Sequence, residues 1–290
     1  MESQKRIATY ARTREIIDQY GIKLKKKYGQ NFLVDPFVLS KIINGSEIEE
    51  SELVIEIGPG IGGLTQALSE KAKKVIAIEI DKTFADILKE TLSDCDNVSV
   101  MCQDVLEVSF LEIVNEAGFK KARICANLPY YITTPIIMKA LESGVISSMT
   151  VMVQKEVGER FKAKPGTRAY GSLTVAASYY CDVNVLANVP QNCFIPRPAV
   201  DSIVLKIDIL DKPRVAVKNP EFLFHIIKAA FATRRKTLLN CLFQDEMIQE
   251  AMQTKDNIKK WMNESGIEEN VRGEELFLAD FALLSEKFYV

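Results

Sequence analysis

The sequence has one histidine and one tryptophan among its 290 residues, and this scarcity excludes several kinds of active site. With His225 as the single histidine, a zinc site with several imidazole ligands cannot form. A serine hydrolase triad would need that same residue beside a nucleophile. The six cysteines contain no C-x-x-C pair; they are Cys95, Cys102, Cys125, Cys181, Cys193 and Cys241. We therefore expect no metal site, and we expect buried, reduced thiols of the kind found in cytoplasmic proteins.

The sequence also lacks a long apolar run and an excess of charge. No segment approaches the roughly 20 apolar residues that a membrane span needs. Residues 1–20 are charged and amphipathic, unlike a secretory signal. We therefore predict a cytoplasmic protein without membrane contacts. The net charge of −2 provides no overall attraction for nucleic acid, so any such binding must come from local basic patches.

The chain is organised around a glycine-rich segment, residues 53–65, with the sequence LVIEIGPGIGGLT. It begins as a short apolar strand and becomes apolar again at Leu64, where we expect a helix to begin. A glycine turn between a parallel strand and a helix lets the backbone approach a ligand closely. Gly58, Gly60 and Gly63 match the G-x-G-x-x-G pattern of dinucleotide-binding proteins. The segment therefore predicts a nucleotide-like ligand.

Two residues of this segment argue against a pyrophosphate. Pro59 removes a backbone N–H that a phosphate would use. Glu56, at the end of the strand, would repel a phosphate but suits a cation. A nucleoside with a positive charge and no phosphate, such as S-adenosylmethionine, satisfies both conditions. The literal glycine pattern leaves a nicotinamide-dependent oxidoreductase as an alternative.

Acidic residues follow the next two apolar strands. Residues 75–81 form the second predicted strand and contain Glu79, about 20 residues past the glycine turn, where a carboxylate can accept both ribose hydroxyls. Residues 98–101 form the third predicted strand, and Asp104 follows it closely enough to accept from an adenine amine. The alternatives are a surface acid for Glu79 and a helix cap for Asp104.

The fourth apolar strand runs directly into Asn127-Leu128-Pro129-Tyr130. Pro129 stiffens the turn and restricts Leu128 to extended geometry. The Leu128 carbonyl then lies beside the Asn127 side-chain carbonyl, with Tyr130 as a flat ring next to them. Two acceptors and one ring match the exocyclic amine of a planar base. A capped turn between strand and helix is the alternative.

Phe194 is predicted to stack on the other face of that base. It lies just before the proline-stiffened stretch of residues 195–198 and the final strand. A base removed from its own stack needs an aromatic replacement, and Tyr130 offers only one face. The alternative is a core phenylalanine, which most phenylalanines are.

Two basic clusters are candidates for contact with phosphates. The first contains Lys25, Lys26 and Lys27 and is followed by the uncharged stretch Tyr28 to Leu33. The second contains Arg234, Arg235 and Lys236 and lies within a predicted helical region. Lysine and arginine runs beside aromatic segments are typical of nucleic-acid interfaces, although solvated surfaces carry similar runs.

Seven apolar strands interleaved with amphipathic segments predict an α/β protein with a doubly wound sheet.

Residues 155–170 are basic, contain Pro165-Gly166 and are predicted to form a mobile loop over the site. Residues 211–214 resemble a linker. The pattern beyond it predicts three helices, at residues 220–243, 248–262 and 274–287. We therefore predict a catalytic domain at residues 1–210 and a small helical domain at residues 211–290.

These motifs together resemble a known family. The glycine turn, the ribose acid, the following aspartate and Asn-Leu-Pro-Tyr resemble the Rossmann-like class I S-adenosylmethionine-dependent N6-adenine methyltransferases. Five flanking stretches are similar to the small-subunit (16S) ribosomal RNA adenine dimethyltransferases; they are residues 29–33, 164–167, 170–173, 194–202 and 234–238. The likeness extends from about residue 29 to residue 242 and shows no broken motif.

The resemblance implies an activity and a set of site residues. It implies N6,N6-dimethylation of two adjacent adenosines near the 3′ end of the small-subunit RNA during ribosome biogenesis. It implies the small ribosomal subunit as partner, a monomer, and S-adenosylmethionine without a metal. The implied cofactor site comprises Gln30, Asn31, Leu33, Glu56, Gly58, Gly60, Glu79, Ile80, Asp104, Val105 and Asn127. The implied base site comprises Asn127, Leu128, Pro129, Tyr130 and Phe194. The implied RNA contacts are Lys25, Lys26, Lys27, Arg197, Arg234, Arg235 and Lys236.

Two further alternatives follow from the resemblance itself. A related enzyme class methylates large-subunit RNA and confers antibiotic resistance, and the PGT, YGSL and RRKTL stretches argue against that class. A non-catalytic RNA-binding or assembly factor could keep the same fold, and the intact Asn-Leu-Pro-Tyr argues against it.

Overall fold

The structure, a computed structural model, describes residues 6–22 and 31–288. Its strands are β1 (Phe32–Leu33), β2 (Leu53–Ile57), β3 (Lys74–Glu79), β4 (Val98–Cys102), β5 (Ala122–Asn127), β6 (Ile146–Gln154), β7 (Cys181–Val189), β8 (Phe194–Ile195) and β9 (Ser202–Ile209). Its α-helices are α1 (Tyr10–Gln19), α2 (Pro36–Ser46), α3 (Gly63–Ser69), α4 (Lys82–Thr91), α5 (Phe110–Glu116), α6 (Thr133–Glu142), α7 (Lys155–Phe161), α8 (Ser172–Tyr180), α9 (Pro220–Ala230), α10 (Leu238–Phe243), α11 (Glu246–Met252), α12 (Lys255–Glu264) and α13 (Leu278–Lys287).

The contacts divide the chain into two units. The first contains Met1–Gly158 and Val183–Ile209, and the second contains Glu159–Asp182 and Leu210–Val290. The change of unit at Ile209 coincides with the predicted boundary at residue 210. The prediction that residues 1–210 form one domain is wrong for Glu159–Asp182, because α8 packs on α9 and α13 of the second unit.

The first unit is built on a seven-stranded sheet with the order β4-β3-β2-β5-β6-β9-β7. The strands from β4 to β6 are parallel, and β9 runs antiparallel to β6. All seven predicted strands belong to this sheet, which confirms the doubly wound α/β class. The strand order reverses direction between β2 and β5, and ligands of such sheets bind at the carboxyl ends of strands beside this switch point.

Local sequence signals account for the elements beside this edge. All five residues of β2 are buried, as expected for a parallel strand covered on both faces. Asp35 caps α2 by accepting from the N–H groups of Phe37 and Val38, and Pro36 occupies the first helical position, where its fixed φ angle suits a helix. Asp81 caps α4 by accepting from Thr83 N at 3.0 Å.

The second unit has a helical core around α9 and α13. Phe222, Trp261 and Phe281 are buried in one apolar cluster, together with Tyr170 and Tyr179 from the 159–182 segment. The hydroxyl of Tyr170 donates to the Leu276 carbonyl at 2.7 Å, which adds a buried polar contact to that packing. The 159–182 segment is therefore part of this core.

Several predicted boundaries in this region are wrong. The predicted loop at residues 155–170 begins with helix α7. The predicted helix at 220–243 is interrupted between α9 and α10, and the predicted helix at 248–262 consists of α11 and α12. The third predicted helix starts as a short 3₁₀ turn, Gly273–Glu275, before α13. Within the described residues, no helix is both long and apolar enough to cross a membrane.

Candidate active site

A cavity lies at the carboxyl ends of the parallel strands, within the first unit. It brings together thirteen of the residues predicted for the cofactor and the base. They are Asn31, Leu33, Glu56, Gly58, Gly60, Glu79, Ile80, Asp104, Val105, Asn127, Leu128, Pro129 and Tyr130. These residues come from five separate stretches of the chain, and the fold brings them together around one cavity.

The glycine turn forms one wall of the cavity. Gly58 and Gly60 have φ angles of +68° and +59°, in the left-handed region that favours glycine. A Cβ atom on Gly60 would lie 2.9 Å from the Phe32 ring, so this position also lacks room for a side chain. Gly58 N donates to Ile78 O at 3.0 Å, which ties the turn to β3. The turn therefore presents bare backbone to the cavity.

Glu79 is held in a fixed orientation beside this turn. Its Oε1 accepts from Asp81 N at 2.9 Å, and its Oε2 accepts from Gly60 N at 3.4 Å. Burial raises the pKa of the Glu79 carboxyl above its ordinary value, although the two N–H donors oppose the change. A carboxylate oriented in this way retains lone pairs with which it can accept ligand hydroxyls.

Asp104 lies at the end of the neighbouring strand. Its Oδ1 accepts from Leu106 N at 2.8 Å, so the side chain caps the turn after β4. Gln103 N donates to the Glu79 carbonyl at 3.0 Å, which keeps the β3 and β4 ends together. Asp104 therefore caps a turn and not a helix, because Ser109 is the N-cap of α5, and the Asp104 side chain also lines the cavity.

Glu56 is the most deeply buried acid that lines the cavity. It is 2% exposed, and its Oε2 has no hydrogen-bond partner among the described residues. Burial raises the pKa of this carboxyl to about 8, and the charge of Glu79 adds to the shift. A buried carboxyl oxygen without a partner is costly unless a ligand supplies a donor or a positive charge.

The Asn127 amide is oriented by a residue distant in sequence. Its Nδ2 donates to the Asn31 carbonyl at 3.0 Å, so Oδ1 is the amide atom left to accept from a ligand. The backbone N–H of Leu128 donates to Met152 O at 3.0 Å and holds the turn against β6. Both the Asn127 side chain and Leu128 line the cavity.

Tyrosines 130 and 131 complete this side of the cavity. The Tyr130 hydroxyl shares a 2.7 Å hydrogen bond with Ser202 Oγ, which anchors the ring at its far end. Burial raises the Tyr130 pKa, so the phenol is neutral at physiological pH. Tyr131 is 53% exposed and also lines the cavity.

Several lining residues were not predicted. Ile7 and Thr13 come from the N-terminal segment, which carries no motif of its own. Phe32 and Gln103 are immediate neighbours of predicted residues, and adjacency was the available signal. Tyr131 directly follows Asn-Leu-Pro-Tyr and could have been found in the same way.

The structure does not place Phe194 in the cavity. The side chain is 2% exposed and packs in an apolar cluster with Val38, Leu39 and Val204. Its backbone partner is Leu33, which does line the cavity, so Phe194 lies behind that wall. This placement favours the core alternative, and the stacking of Phe194 on the target base stays a prediction. In the sequence, Phe194 lies just before a proline-stiffened stretch and the final strand. That position does not show whether its side chain faces the cavity or the core.

The predicted RNA contacts have different surroundings. Lys25, Lys26, Lys27 and the cofactor candidate Gln30 lie outside the described residues. Arg197 and Arg235 are exposed, and Lys236 is half-buried. Arg234 donates from Nε to Glu274 at 2.8 Å and from Nη2 to the Thr167 carbonyl at 3.1 Å. The last three cations lie between α9 and α10, so the predicted continuous helix at this position is wrong.

The fold and the cavity together define a class of protein. A seven-stranded sheet of this order, a glycine turn after its first strand and acids after the next two strands belong to the Rossmann-like class I S-adenosylmethionine-dependent methyltransferases. The family model described as "Ribosomal RNA adenine dimethylase" matches residues 21–281. The chain belongs to this family of methyltransferases, whose cofactor is S-adenosylmethionine.

Individual relatives support the same assignment. The chain is 46% identical over 282 residues to "Ribosomal RNA small subunit methyltransferase A" of Macrococcus caseolyticus, across 96% of this chain and 95% of that protein. It is 44% identical over 282 residues to the protein of the same name from Alkaliphilus oremlandii, across 97% of each. These relatives are matched along nearly their whole length.

Solved structures show the same fold. A dimethyladenosine transferase from Plasmodium falciparum superposes with a TM-score of 0.71 at 28% identity, across 87% of this chain and 95% of that one. The 23S rRNA methyltransferase ErmE superposes with a TM-score of 0.68 at 21% identity, across 89% of this chain and all of that one. The second likeness concerns the fold alone.

Proposed function

We propose that the protein transfers methyl groups from S-adenosylmethionine to adenine N6 in the RNA of the small ribosomal subunit. The family and the relatives named as small-subunit methyltransferases support this proposal. The observation that carries it is the cavity in which the cofactor acids and the Asn127-Leu128-Pro129-Tyr130 turn meet. From the family resemblance, we propose two adjacent adenosines near the RNA's 3′ end as the targets, each dimethylated.

The cavity residues fit a cationic nucleoside. The bare turn at Gly58 and Gly60 leaves room for the methionine portion close to the backbone. The unpartnered Oε2 of Glu56 is suited to a positive charge or an N–H donor. We propose that Glu79 holds the ribose hydroxyls and Asp104 the adenine amine. Two buried acids would repel a pyrophosphate here. This repulsion and the family assignment both argue against a nicotinamide-dependent oxidoreductase.

The base site follows from the orientation of the Asn127 amide. We propose that Asn127 Oδ1 and the Leu128 carbonyl accept the two N–H groups of adenine N6. These bonds favour a tetrahedral nitrogen whose lone pair is no longer delocalised into the ring. When bound, the cofactor supplies a sulfonium methyl group and leaves as a neutral thioether. The protein's contribution is then mainly positioning and electrostatic stabilisation.

Aromatic side chains hold the base in this orientation. We propose that the Tyr130 ring stacks on one face of the adenine, because its hydroxyl is anchored to Ser202 and its ring lines the cavity. An adenine must leave the RNA stack before its amine can reach the methyl group. Stacking replaces part of the energy that unstacking costs.

We propose that exposed cations bind the RNA backbone. Arg197 and Arg235 are solvent-accessible, so their side chains can contact phosphates. Arg234 already forms an ion pair with Glu274, so its contribution to RNA binding is indirect. The cluster Lys25, Lys26 and Lys27 stays a proposed contact on the sequence evidence.

Incubation of the protein with labelled S-adenosylmethionine and, separately, with small and large ribosomal subunits tests the proposal. We expect label in the small-subunit RNA and none in the large-subunit RNA. Label in the large subunit would support the antibiotic-resistance alternative. RNA binding without any transfer, in a protein that binds the cofactor, would support the assembly-factor alternative.

A further inference from the structure

The N-terminal segment, residues 6–20, precedes the family match and forms part of the cavity wall. The family model begins at residue 21, whereas Ile7 and Thr13 already line the cavity. Both residues are buried, with exposed fractions of 2% and 0%. None of the cofactor motifs lies in this segment, so the wall has no assigned role.

The segment lies directly on helix α3, which follows the glycine turn. Ile7 N donates to Gln66 Oε1 at 2.9 Å in a buried hydrogen bond. A Cβ atom added to Gly63 would lie 3.3 Å from the Ala8 Cβ, which shows how closely the two backbones approach. Gln66 N in turn donates to the Gly62 carbonyl at 2.9 Å. One residue, Gln66, therefore links the glycine turn, through its backbone N–H, to the N-terminal wall, through its side chain.

A hydrogen bond within the segment stabilises the wall, and the Ile7 side chain presents an apolar surface to the cavity. Thr13 Oγ1 donates to the Ile7 carbonyl at 3.0 Å, which fixes helix α1 to the strand-like residues before it. The Ile7 side chain packs in a cluster with Phe32, Ile61 and Phe84, and all three also line the cavity. Opening the wall would expose this cluster and one side of the cavity to water.

Other contacts of the segment are weaker. The Arg6–Glu70 ion pair spans 3.2 Å between two half-exposed side chains, and exposed pairs contribute little. The Tyr20 hydroxyl donates to Glu90 Oε2 at 2.6 Å at an exposed position. The Ile7–Gln66 bond is buried, and loss of its acceptor would leave a buried N–H group unpaired.

We propose that Gln66 is a positioning residue that holds the segment Ile7–Thr13 closed over the cofactor and thereby slows the release of S-adenosylmethionine. The inference rests on the assignment of this cavity to the cofactor. Gln66 acts through Ile7 and needs no contact with the cofactor itself. Loss of its acceptor favours a locally opened segment, and an open wall gives the cofactor a path to solvent.

The test compares two variants that lose side-chain hydrogen bonds at different places on α3, one in the middle of the helix and one at and beyond its C-terminal end. Gln66→Met removes the acceptor for Ile7 N and keeps a side chain of similar size. Asn97→Leu is the matched control, because Asn97 Nδ2 donates to the Ser69 and Ala72 carbonyls at 2.9 Å each and does not line the cavity. Thermal melts establish the stability loss of each variant.

Two measurements distinguish a wall from a merely structural contact. Hydrogen exchange of the peptide that contains Ile7 reports opening of the segment, and stopped-flow displacement reports the cofactor dissociation rate. For Gln66→Met we expect faster exchange and a dissociation rate raised about ten-fold, whereas the association rate changes little. Thr13→Val removes the hydrogen bond to the Ile7 carbonyl. We expect this variant also to show faster hydrogen exchange and faster cofactor dissociation. For Asn97→Leu we expect the wild-type dissociation rate despite a comparable stability loss.

The outcomes separate this inference from the proposed function. Faster exchange with an unchanged dissociation rate in Gln66→Met would show that the segment does not retain the cofactor. Unchanged exchange would show that Gln66 does not hold the segment. An equal rate increase in Asn97→Leu would assign the effect to general destabilisation. If the wild-type protein fails to bind S-adenosylmethionine at all, the cofactor assignment itself is wrong.

Discussion

Asn127 donates a hydrogen bond from Nδ2 to the backbone carbonyl of Asn31 at 3.0 Å, across 96 positions of sequence. The bond joins the Gly-Gln-Asn-Phe-Leu stretch to the Asn-Leu-Pro-Tyr turn. Because the amide nitrogen is occupied, the amide oxygen is the atom available to an incoming amine. The first stretch therefore orients the Asn127 amide, and we propose that this orientation serves catalysis.

Replacement of Asn127 tests this orientation. Asn127→Ala should lower the methyl-transfer rate constant by about 10²- to 10³-fold, the range found when one transition-state acceptor or donor is removed. Asn127→Asp should be similarly impaired, because a carboxylate cannot donate to the Asn31 carbonyl. Single-turnover transfer at saturating cofactor measures the effect. A near wild-type rate in either folded variant would exclude Asn127 from the base site.

Glu79 should dominate cofactor affinity. Charge-assisted hydrogen bonds to ribose hydroxyls are each worth about 1.5–3 kcal/mol. We expect Glu79→Ala to weaken S-adenosylmethionine binding by at least about ten-fold, measured by calorimetry. Because Glu79 also accepts from Asp81 N and Gly60 N, a thermal melt must accompany the titration. Unchanged affinity in a folded variant would remove Glu79 from the cofactor site.

The raised pKa of Glu56 predicts a pH dependence of cofactor binding. The carboxyl titrates near pH 8 in the free protein, and only its charged form attracts a cation. Affinity for S-adenosylmethionine should therefore fall as the pH is lowered below about 8. Glu56→Gln, which cannot ionise, should show a flatter profile below a pH of about 8. Identical slopes for both proteins would show that Glu56 stays neutral in the complex.

The same residue predicts a pH effect on stability without the cofactor. The folded-state pKa of about 8 exceeds the ordinary value of 4.5, so folding favours the neutral form. The contribution of Glu56 is most favourable below the ordinary pKa and is lost as the pH rises through the folded-state pKa. Glu56→Gln should therefore unfold at a higher temperature than the wild type at alkaline pH. The difference should shrink at acidic pH, and a difference independent of pH would contradict the burial of a titrating carboxyl.

Neutralisation of the second basic cluster should separate two roles. Arg235→Ala and Lys236→Ala should weaken RNA binding and reduce its salt dependence by about one slope unit per lost phosphate contact. Arg234→Ala should instead lower the melting temperature of the protein, because its guanidinium bridges Glu274 and Thr167. Salt titrations of RNA binding, with cofactor affinity as a control, measure the first effect. An unchanged salt slope would make Arg235 and Lys236 ordinary solvated residues.

Phe194 should behave as a core residue. Truncation of a buried phenylalanine to alanine costs about 3–5 kcal/mol, so Phe194→Ala should lower the melting temperature strongly. Transfer per folded molecule should fall much less than in Asn127→Ala, because Phe194 lies behind the cavity wall. A stable variant that has lost transfer would restore the stacking role that the sequence suggested.

The sequence was sufficient to predict the sheet and thirteen of the residues that line the cavity. The central strands were visible because a parallel strand that is covered on both faces is buried along its whole length, as β2 is, and the carboxyl ends of parallel strands must meet at one edge. That rule alone predicts that Glu56, Glu79, Asp104 and Asn127 lie close together, and all four line the cavity. The glycine turn added its own signal through positions that exclude a side chain.

The remaining differences come from interactions that periodicity cannot show. The break between α9 and α10 contains Arg234, whose contacts with Glu274 and Thr167 are tertiary. The short strands β1 and β8 pair across more than 160 positions and have two residues each, too few for a periodic pattern. The role of the N-terminal segment in the cavity depends on Gln66, a residue without a motif. The burial of Phe194 likewise depends on tertiary packing, against residues such as Val38 and Val204.

The central claim is that this cavity dimethylates adenine N6 in small-subunit RNA, and nucleoside analysis of the product tests it most directly. Small subunits that lack the modification are incubated with the protein and S-adenosylmethionine, and the digested RNA is examined by mass spectrometry, with Asn127→Ala as the inactive control. We expect N6,N6-dimethyladenosine, confined to two adjacent positions near the 3′ end of the RNA. Methylation of another atom or another base, or N6,N6-dimethyladenosine formed equally by Asn127→Ala, would contradict the account.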